Sequence, residues 1–581
     1  MCGIVAYTGK KQAAKILYTG LERLEYRGYD SAGIAVINGE NISVVKRAGR
    51  VSMIKDAVSL SGTCGVGHTR WATHGGAEDK NAHPHVCKKF AVVHNGIIEN
   101  YARLKEELSA AGRSFSSDTD SETVALLLTE YYEGDFLNAV KRTVARLKGS
   151  FALCILCLDF PNEIVCVRRK SPLIVGTDES GVYAASDIPA LGECNKIRVL
   201  EDGEIALLKK TEIKLFDFSL SPLPLRLVKN KFRREESDRG NYPHYMLKEI
   251  YESPVAIEKT AACFDLTAAE KLKKAAYGFT CGYVVGCGTA YHSAITGAAL
   301  LEKTLKIPFI AELSSEFCYR KPLLGKNSLV IAVSQSGETA DTVSACRLAK
   351  NRGAFLAVVT NADYSTIAAL ADCRFVTDAG VEIGVAATKT YAAQLAAFYS
   401  LCACLQGNVC TFLHTFSHRV RPVFSEISLL KQLAAQKIAT ARGVYFIGRG
   451  ADYASAIEGS LKLREVSYVS GAGYAAGELK HGSIALIDNN ATVIAVITQK
   501  ALKEKSVNAV NEVRSRGAFV VAITSFSDIP ADETVLLPDC PQKYYPLYSA
   551  IPLQLLAYYT AVELGRDPDR PRNLAKSVTV E

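Results

Sequence analysis

The amino-acid sequence predicts an α+β domain with antiparallel strands, followed by two copies of a doubly wound α/β domain. The first 225 residues carry short β-like runs separated by turn signals and interrupted by amphipathic helices. Beyond residue 245, strands and helices alternate, which is typical of a parallel sheet covered by helices. Two long parts of this second region match each other, which indicates a duplicated unit.

Length and composition limit the class of protein. A chain of 581 residues is too long for one hydrophobic core, so several domains are expected. The hydrophobic fraction of 48% and the charged fraction of 22% are ordinary for a globular protein. The net charge of +8 is a weak excess over this length, and no basic block is interleaved with aromatic residues. Nucleic-acid binding is therefore disfavoured.

The 17 cysteines show no pairing pattern, and a reducing compartment suits so many thiols. Cys154 and Cys157 form a C-x-x-C on a predicted strand without a second pair at zinc spacing, which indicates core packing and no metal site. No signal peptide precedes the first strand, and no apolar run reaches the roughly 18 residues of a membrane span. We expect a cytoplasmic protein without a membrane partner.

The predicted domain boundaries follow changes in pattern. Residues 2–225 hold the α+β domain, with helices predicted over Ala13–Glu25 and Asp120–Tyr132. Residues 226–244 contain prolines and the mixed-charge run "KNKFRREESDRG" without clear periodicity, so they are expected to be a linker. The two α/β copies are expected over residues 245–430, named copy one, and 431–581, named copy two.

Three separated matches define the internal repeat. "YVVGCGTAYHSAITGAAL" in copy one matches "YFIGRGADYASAIEGSLK" in copy two. "LVIAVSQSGE" matches "TVIAVITQKA", and "RGAFLAVVTN" matches "RGAFVVAITS". The offset stays between 162 and 164 residues, so one α/β unit has been duplicated.

The chain opens with "MCGIVAYTG", which places a cysteine where it becomes terminal if Met1 is removed. A terminal Cys2 carries a thiol and an α-amine with a pKa near 8, and this amine can accept the thiol proton. The alternative is that Cys2 is a small apolar residue at the start of a buried strand. These nine residues fit both interpretations, and the buried strand is the more ordinary one.

Copy one carries a polar loop that copy two lacks. After its second strand, "VSQSGET" places Ser334, Gln335, Ser336 and Thr339 before a helix. Backbone N–H groups and the helix dipole at such a place favour a phosphate, and hydroxyls add donors. A helix cap is the alternative, although it explains one hydroxyl only. The "GCGTA" segment lacks the third glycine of a dinucleotide-binding motif, so NAD is not expected.

Together these motifs resemble the glutamine–fructose-6-phosphate aminotransferase (isomerizing) family from end to end. The resemblance rests on "CGIV", "LEYRGYDSAG", "HTRWATHG", "NAHPH", "HNGIIEN", "SQSGETADT", "GELKHG" and "PRNLAKSVTVE". It implies an N-terminal-nucleophile αββα sandwich with glutamine amidotransferase activity, followed by two sugar-isomerase (SIS) domains. It also implies L-glutamine and fructose 6-phosphate as substrates, internal transfer of ammonia, a homodimer, and no metal or redox cofactor.

The resemblance implies roles in the first domain. Cys2 would be the nucleophile, Asn95 and Gly96 the oxyanion donors, Arg70, Thr73, His74 and Asp120 the glutamine-binding residues, and Trp71 the gate of an ammonia channel. Other interpretations are open for three of these features. Asp120 would also suit the N-cap of the following helix, Asn–Gly suits a turn, and the only tryptophan suits a core.

The resemblance implies a second set of roles in the α/β copies. Lys576 would form a Schiff base with the ketose, Glu465 would move a proton between carbons 1 and 2, and His481 would open the sugar ring. The sugar-phosphate-binding residues would be Thr289, Ser334, Gln335, Ser336, Thr339, Val385 and Ala575. A lysine near the end is usually a solvated charge, and a plain surface helix would also show the spacing of Glu458, Lys462 and Glu465.

The chain departs from the family pattern at four positions. Ala290 and Ala387 stand where serine is common, and Ser470 and Ala472 stand where histidine and glutamate are expected. Losing a hydroxyl costs about 1 kcal/mol, so weaker sugar-phosphate binding is expected, and the reaction is expected to remain. Two other functions stay open. A glutaminase-fused deglycase or deaminase would act on other sugar phosphates, and a sugar-phosphate sensor would need no Cys2 chemistry.

Overall fold

The computed structural model describes residues 2–72, 74–192, 194–230 and 238–578. The chain forms two compact units. The N-terminal unit runs to Asp238 and includes the chain from Ser577 onward, and the C-terminal unit is Arg239–Lys576. In the described part of the chain, no helix is both long enough and apolar enough to cross a membrane.

In its described residues, the N-terminal unit contains antiparallel strands and five α-helices. The strands are β1 (Gly3–Gly9), β2 (Ser31–Asn38), β3 (Asn41–Ala48), β4 (Cys64–Arg70), β5 (His85–Cys87), β6 (Phe90–Ile98), β7 (Gly149–Cys157), β8 (Ile164–Arg169), β9 (Ile174–Thr177), β10 (Gly181–Ala185), β11 (Lys196–Val199), β12 (Glu204–Lys209), β13 (Glu212–Asp217), β14 (Pro222–Leu223) and β15 (Val228–Lys229). The helices are α1 (Ala13–Leu24), α2 (Tyr101–Ala110), α3 (Glu122–Tyr131), α4 (Phe136–Arg146) and α5 (Ile188–Leu191).

These elements form a four-layer αββα sandwich, as the sequence predicts. An eight-stranded sheet has the order β15-β11-β9-β10-β1-β4-β2-β3, and a seven-stranded sheet has the order β14-β13-β12-β8-β7-β6-β5. Apolar residues of both sheets, such as Ile4, Val66 and Cys154, fill the space between them. Helix α1 packs on the outside of the first sheet, and α2 to α4 cover the second. The central strands are therefore buried on both faces, which explains their nearly continuous apolar sequences.

The helices of this unit lie close to the predicted ranges. Helix α1 ends one residue before the predicted Glu25, and α3 begins two residues after the predicted Asp120. Asp120 does not cap α3, because its Oδ2 accepts the N–H of Ile98 at 2.7 Å. Ser121 holds the N-cap position without a side-chain capping bond. The N-cap interpretation of Asp120 is therefore wrong.

The C-terminal unit alternates strands and helices. Its strands are β16 (Cys281–Gly286), β17 (Phe309–Leu313), β18 (Ser328–Ser334), β19 (Phe355–Thr360), β20 (Cys373–Val376), β21 (Gly443–Gly448), β22 (Gly471–Ala475), β23 (Ala491–Ile497), β24 (Phe519–Thr524) and β25 (Glu533–Leu536). Its helices are α6 (Tyr245–Ala262), α7 (Leu266–Ala276), α8 (Thr289–Leu305), α9 (Ser314–Arg320), α10 (Ala340–Asn351), α11 (Thr366–Leu370), α12 (Lys389–Leu405), α13 (Phe416–Arg419), α14 (Arg421–Ser425), α15 (Ile427–Leu433), α16 (Ala451–Ser467), α17 (Lys503–Arg514) and α18 (Tyr545–Glu563).

The two copies have the same topology. Each contains a five-stranded parallel sheet, in the orders β17-β16-β18-β19-β20 and β22-β21-β23-β24-β25. The first strand of each copy lies next to the centre, so the order of strands reverses there, which is where doubly wound sheets bind ligands. Helices α6, α12 and α18 contribute to one apolar core that joins the copies.

The predicted linker contains a short strand, and one predicted boundary falls inside a helix. Strand β15 pairs with β11, so part of the predicted linker 226–244 extends the first sheet. Residues 231–237 of that linker lie outside the described residues. Helix α15 spans the predicted boundary between residues 430 and 431, because Ile427–Leu433 contains no glycine or proline to interrupt it. The division into four segments remains a prediction.

The predicted core segments are buried. Cys154 and Cys157 lie on β7 without exposure, and both thiols are free. The long apolar segment around Gln394 forms α12, which is buried along almost its full length. These segments therefore pack in the interior, as the sequence analysis predicts.

A pair of matched glycines permits close helix packing in both copies. Gly297 on α8 and Gly459 on α16 stand at the same place in the repeat. A Cβ at Gly297 would lie 2.5 Å from the ring of Phe398 on α12, and one at Gly459 would lie 2.6 Å from Leu553 on α18. The repeat therefore retains a glycine where a helix crosses its neighbour closely.

We predict that Gly297→Ala destabilises the protein by about 1–2 kcal/mol. Overpacking costs about 1–3 kcal/mol, and the approach to within 2.5 Å of the fully buried Phe398 places this change in the upper part of that range. The gain of about 1 kcal/mol in helix propensity offsets part of the cost. Calorimetric melting should show a lower Tm. The control is Gly325→Ala, where a Cβ meets no atom within 4 Å. A Tm of Gly297→Ala at or above that of the wild type would contradict this packing.

Candidate active sites

The first candidate site lies where β1, β4 and β6 meet. Cys2 directly precedes β1, and β1 pairs with β4 so that Gly3 lies opposite Thr69. This register brings Cys2 beside the end of β4. The backbone N–H of Trp71 donates to Cys2 Sγ at 3.3 Å. The antiparallel pairing thus positions the candidate nucleophile.

Burial and nearby positive groups shift the pKa of the Cys2 thiol in opposite directions. Burial raises its pKa, while the Trp71 N–H and the Arg70 guanidinium lower it; the net direction is upward. The thiol is therefore neutral near pH 7 and needs a base to become a nucleophile. This is the chemical need that an adjacent α-amine would meet.

Asn95 and Gly96 lie on strand β6 beside Cys2. Asn95 Nδ2 donates to the carbonyl oxygen of Cys2 at 3.0 Å. Gly96 has a φ of +126°, and a Cβ there would overlap the carbonyl oxygen of Ser150 on β7. The pair sits inside β6 and not at a turn, so the turn interpretation is wrong. A side-chain amide and a glycine N–H near a thiol suit stabilisation of an oxyanion.

Two of the predicted glutamine-binding residues, Arg70 and Asp120, carry charges close enough to act on the Cys2 thiol. Arg70 donates to the carbonyl oxygens of Gly75 at 2.9 Å and Gly76 at 3.0 Å, and also to that of His74. The buried guanidinium therefore holds the loop after β4 in this structure. The His74 ring contacts Tyr101 edge-on at 5.1 Å. Asp120 binds the backbone of β6, as described above, and Thr73 lies outside the described residues.

Trp71 is half-buried, and its ring meets Tyr29 edge-on with centroids 5.5 Å apart. The residue is thus not a fully enclosed core aromatic. Its backbone contacts the Cys2 thiol while its ring remains partly accessible. The gate role stays a prediction.

The second candidate site begins at the loop after β18. Gly337 N–H donates to Ser334 Oγ at 3.1 Å, and Glu338 N–H donates to Ser336 Oγ at 3.2 Å. Ser334 Oγ and Thr339 Oγ1 are 3.0 Å apart. Thr339 occupies the N-cap position of α10 but makes no side-chain capping bond. Capping by Thr339 therefore does not explain this cluster, whose Gln335 and Ser336 are half-buried.

Lys576 is buried, which excludes the solvated-charge interpretation. Its side chain is 5% exposed, and Nζ pairs with Glu382 and donates to the carbonyl oxygen of Gly384 at 2.7 Å. Burial alone would raise the pKa of Glu382, but Lys576 and the Thr388 N–H hold it below its usual value. Arg572, four residues before Lys576, lies over the ring of Tyr468.

A second carboxyl group supports the segment that carries Glu382. Glu249 on α6 accepts the N–H groups of Ile383 at 2.5 Å and Gly384 at 3.1 Å. Burial and the nearby Glu382 charge raise the pKa of Glu249 to about 8, against the opposing effect of Lys576. Glu249 is therefore mostly protonated at neutral pH. Sequence reasoning missed Glu249 and Glu382, although Glu382 stands in the segment "EIGVAATK".

Helix α16 carries Glu465 within a buried charged group. Lys462 Nζ donates to Glu465 Oε2 at 2.5 Å and lies 3.6 Å from Glu458 Oε1. Glu458 accepts from Thr289 Oγ1 at 3.1 Å and contacts His292 Nδ1 at 2.6 Å. Glu458 and Lys462 are buried, so the surface-helix interpretation is wrong. This group joins α8 of copy one to α16 of copy two.

The remaining predicted residues are less closely gathered. Val385 N–H donates to the carbonyl oxygen of Asp569 at 3.1 Å, which ties its loop to the segment before Lys576. Ala575 is half-buried next to Lys576. His481 is exposed on a short 3-10 turn, Leu479–His481. Among the described residues, no side-chain hydrogen bond links His481 to Lys576 or Glu465.

Comparison with known proteins agrees with both halves. The family model described as a glutamine amidotransferase domain matches residues 68–193, and the SIS domain model matches residues 282–403 and 437–564. The first match lies within the sandwich, and the other two cover the two parallel sheets.

Curated relatives match the whole chain. A glutamine–fructose-6-phosphate aminotransferase [isomerizing] of Caldanaerobacter subterraneus subsp. tengcongensis is 42% identical, and one of Symbiobacterium thermophilum is 43% identical; each match covers 100% of both chains. The solved C-terminal domain of glucosamine-fructose-6-phosphate aminotransferase from Francisella tularensis is 31% identical with a TM-score of 0.53, over 57% of this chain and 100% of that one. The chain therefore belongs to the glutamine–fructose-6-phosphate aminotransferase (isomerizing) family.

Proposed function

We propose that this enzyme converts L-glutamine and fructose 6-phosphate to L-glutamate and glucosamine 6-phosphate. The observation that carries the proposal is the buried amine of Lys576, held by Glu382 and the Gly384 carbonyl. Burying a lysine is costly, and a lysine buried beside a carboxylate is a candidate reacting group. Once it has lost its proton, a buried amine is suited to attack a sugar carbonyl.

In the N-terminal unit, Cys2 acts as the nucleophile after removal of Met1. The α-amine accepts the thiol proton, and the sulfur attacks the side-chain amide carbon of glutamine. Asn95 Nδ2 and the Gly96 N–H stabilise the oxyanion. Collapse releases ammonia and leaves a γ-glutamyl thioester, which water hydrolyses to glutamate. Arg70, Thr73, His74 and Asp120 hold the substrate's carboxylate and α-amine.

In the C-terminal unit, Lys576 forms a Schiff base with carbon 2 of the open-chain ketose, and water leaves. Ammonia replaces the lysine at that carbon, and Glu465 moves a proton from carbon 1 to carbon 2. The loop of Ser334, Gln335, Ser336 and Thr339, with Thr289, Val385 and Ala575, holds the sugar phosphate.

Other features of the proposal rest on the family resemblance. We propose that His481 opens the sugar ring, that Trp71 gates ammonia, and that the enzyme is a homodimer with the four segments given above. Alanine at 290 and 387 should weaken sugar-phosphate binding without abolishing the reaction.

We predict that substitutions of the two reacting residues reduce different products of the reaction. With both substrates present, Cys2→Ala should lower glutamate release at least about 1,000-fold, because no thioester forms. Lys576→Ala should lower glucosamine 6-phosphate formation at least about 100-fold while glutamate release remains. Glutamate and sugar products are measured separately, with exposed Lys505→Ala as control.

Three outcomes would overturn the proposed function or a step of it. Glutamate release by Cys2→Ala at the wild-type rate would exclude the thioester. A wild-type enzyme that makes no glucosamine 6-phosphate, but deaminates or deglycates other sugar phosphates, would favour the deglycase or deaminase function. Full production by Lys576→Ala would exclude the Schiff base.

We predict that Asn95→Ala lowers kcat for glutamine hydrolysis about 100- to 1,000-fold. Loss of one preorganised oxyanion donor has an effect of this size, and it acts in the transition state more than in substrate binding. Steady-state kinetics should show a glutamine KM within about threefold of wild type. The exposed Asn41→Ala serves as control. A large KM change with an unchanged kcat would assign Asn95 to substrate binding instead.

We predict that Glu249→Gln changes the pH dependence of stability. Because the pKa of Glu249 is about 8 when folded and near 4.5 when unfolded, the unfolded state loses this proton first as pH rises. Wild-type stability should therefore fall relative to Glu249→Gln between pH 5 and pH 8, by at least about 1 kcal/mol, since one pKa unit is worth about 1.4 kcal/mol.

Calorimetric melting at several pH values measures this difference. The control is Glu504→Gln at an exposed position, and the difference in its stability from that of the wild type should be the same at every pH. A constant difference for Glu249→Gln across the range would show that Glu249 is ionised in the folded protein.

A further inference from the structure

A buried histidine contacts the side chain proposed to stabilise the oxyanion. His68 lies on β4 in the first sheet, and its side chain crosses to β6 in the second sheet. His68 Nε2 is 2.9 Å from the carbonyl oxygen of His94 and 3.0 Å from Oδ1 of Asn95. The opposite end of the same amide, Nδ2, donates to the Cys2 carbonyl. His68 is therefore joined to the reacting residue through one amide group.

The neighbours of His68 fix its tautomer. Both atoms facing Nε2 are carbonyl oxygens, which only accept hydrogen bonds, so Nε2 must carry the proton. Nδ1 is buried without a hydrogen-bond partner among the described residues, as expected for an unprotonated nitrogen. Burial lowers the pKa of His68 to about 3, so the ring stays neutral at working pH. A neutral ring has one N–H, and here it points at Asn95 and the His94 carbonyl.

This N–H sets the orientation of the Asn95 amide. An asparagine amide can rotate by half a turn, which would direct Oδ1 towards Cys2 and repel a developing negative charge. The hydrogen bond from the His68 N–H stabilises only the orientation in which Oδ1 faces the histidine and Nδ2 faces Cys2. Donation to Oδ1 also polarises the amide, so Nδ2 becomes a stronger donor.

The surroundings of His68 leave it little freedom to move. Its ring packs on that of His83 with centroids 4.2 Å apart, and His83 meets His85 at 4.5 Å. His68 is fully buried. His83 makes no side-chain hydrogen bond among the described residues, so it contributes packing alone. The stack thus supplies a rigid support, and His68 is the member that reaches the amide.

We infer that His68 is a positioning residue for glutamine hydrolysis, holding the Asn95 amide so that Nδ2 faces the oxyanion that forms on the glutamine amide when Cys2 adds to it. The inference rests on the proposed function, because it assumes that Asn95 is the oxyanion donor. His68 itself does not touch the substrate or take part in proton transfer.

The test compares substitutions that keep or remove the donor. His68→Gln retains an N–H near the place of Nε2, whereas His68→Phe removes it and His68→Asn is too short to reach it. Misplacement of a catalytic group by about 1 Å costs up to about 100-fold in rate. We therefore expect His68→Phe and His68→Asn to lower kcat for glutamine hydrolysis about 10- to 100-fold with KM nearly unchanged. His68→Gln should recover to within about fivefold of wild type.

A double-mutant cycle separates positioning from a general structural effect. In the Asn95→Ala background, where no amide remains to be oriented, His68→Phe should lower kcat by less than about twofold further. Alkylation of Cys2 by iodoacetamide, followed by mass spectrometry, should proceed at the wild-type rate in the His68 variants because it forms no oxyanion. His83→Phe serves as the control for stack packing and should leave kcat within about threefold.

The outcomes distinguish this inference from the proposed function. Equal losses from His68→Phe in the wild-type and Asn95→Ala backgrounds would overturn the positioning role. So would equal rates for His68→Gln and His68→Phe, or slowed alkylation of Cys2 in all three His68 variants. Absence of glutamine hydrolysis in the wild type, or normal hydrolysis by Asn95→Ala, would instead overturn the proposed function.

Discussion

Two buried carboxylates join the two copies of the α/β domain, and the second site depends on both. Glu382 of copy one accepts the Lys576 amine from the end of copy two. Glu458 of copy two accepts from Thr289 and contacts His292, both on α8 of copy one. Each carboxylate also has donors in its own copy, the Thr388 N–H for Glu382 and Lys462 for Glu458, and the contacts across the copies complete the set that offsets the cost of burying the charge. The reacting groups are therefore assembled only when the copies are packed together.

The copies share a topology but differ at the place where ligands bind. In copy one, Ala290 follows the G-x-G turn, and the loop after β18 keeps its hydroxyls. In copy two the matching residue is Asp452, a buried carboxylate that accepts the N–H of Thr498 at 2.8 Å. Asp452 thus supplies a hydrogen-bond acceptor for the loop after β23, which is the counterpart of the loop after β18. The two copies therefore share one topology, and only copy one has the hydroxyl-rich loop.

Much of the fold follows from periodicity and the repeat, but the partners of the reacting side chains do not. The constant offset predicts two sheets of equal order, and the order found is the same in both. The sequence also places Asn95 and Gly96 beside Cys2 through the family motif. It gives no sign that Lys576 pairs with Glu382, because 194 residues separate them. Pairings at such distances depend on tertiary packing, which local patterns do not encode. The motif that contains His481 likewise does not predict that this side chain is exposed.

The burial of the Lys576–Glu382 pair determines how strongly dissolved ions screen the attraction between its two charges. At physiological ionic strength the screening length is about 8 Å, and screening acts mainly on charges in contact with water. Surface pairs such as Arg103–Glu107 will weaken as salt is added, whereas the pair at Lys576, with side chains 5% and 0% exposed, is shielded by protein. Added salt that leaves the fold intact should thus weaken this pair less than it weakens the surface pairs.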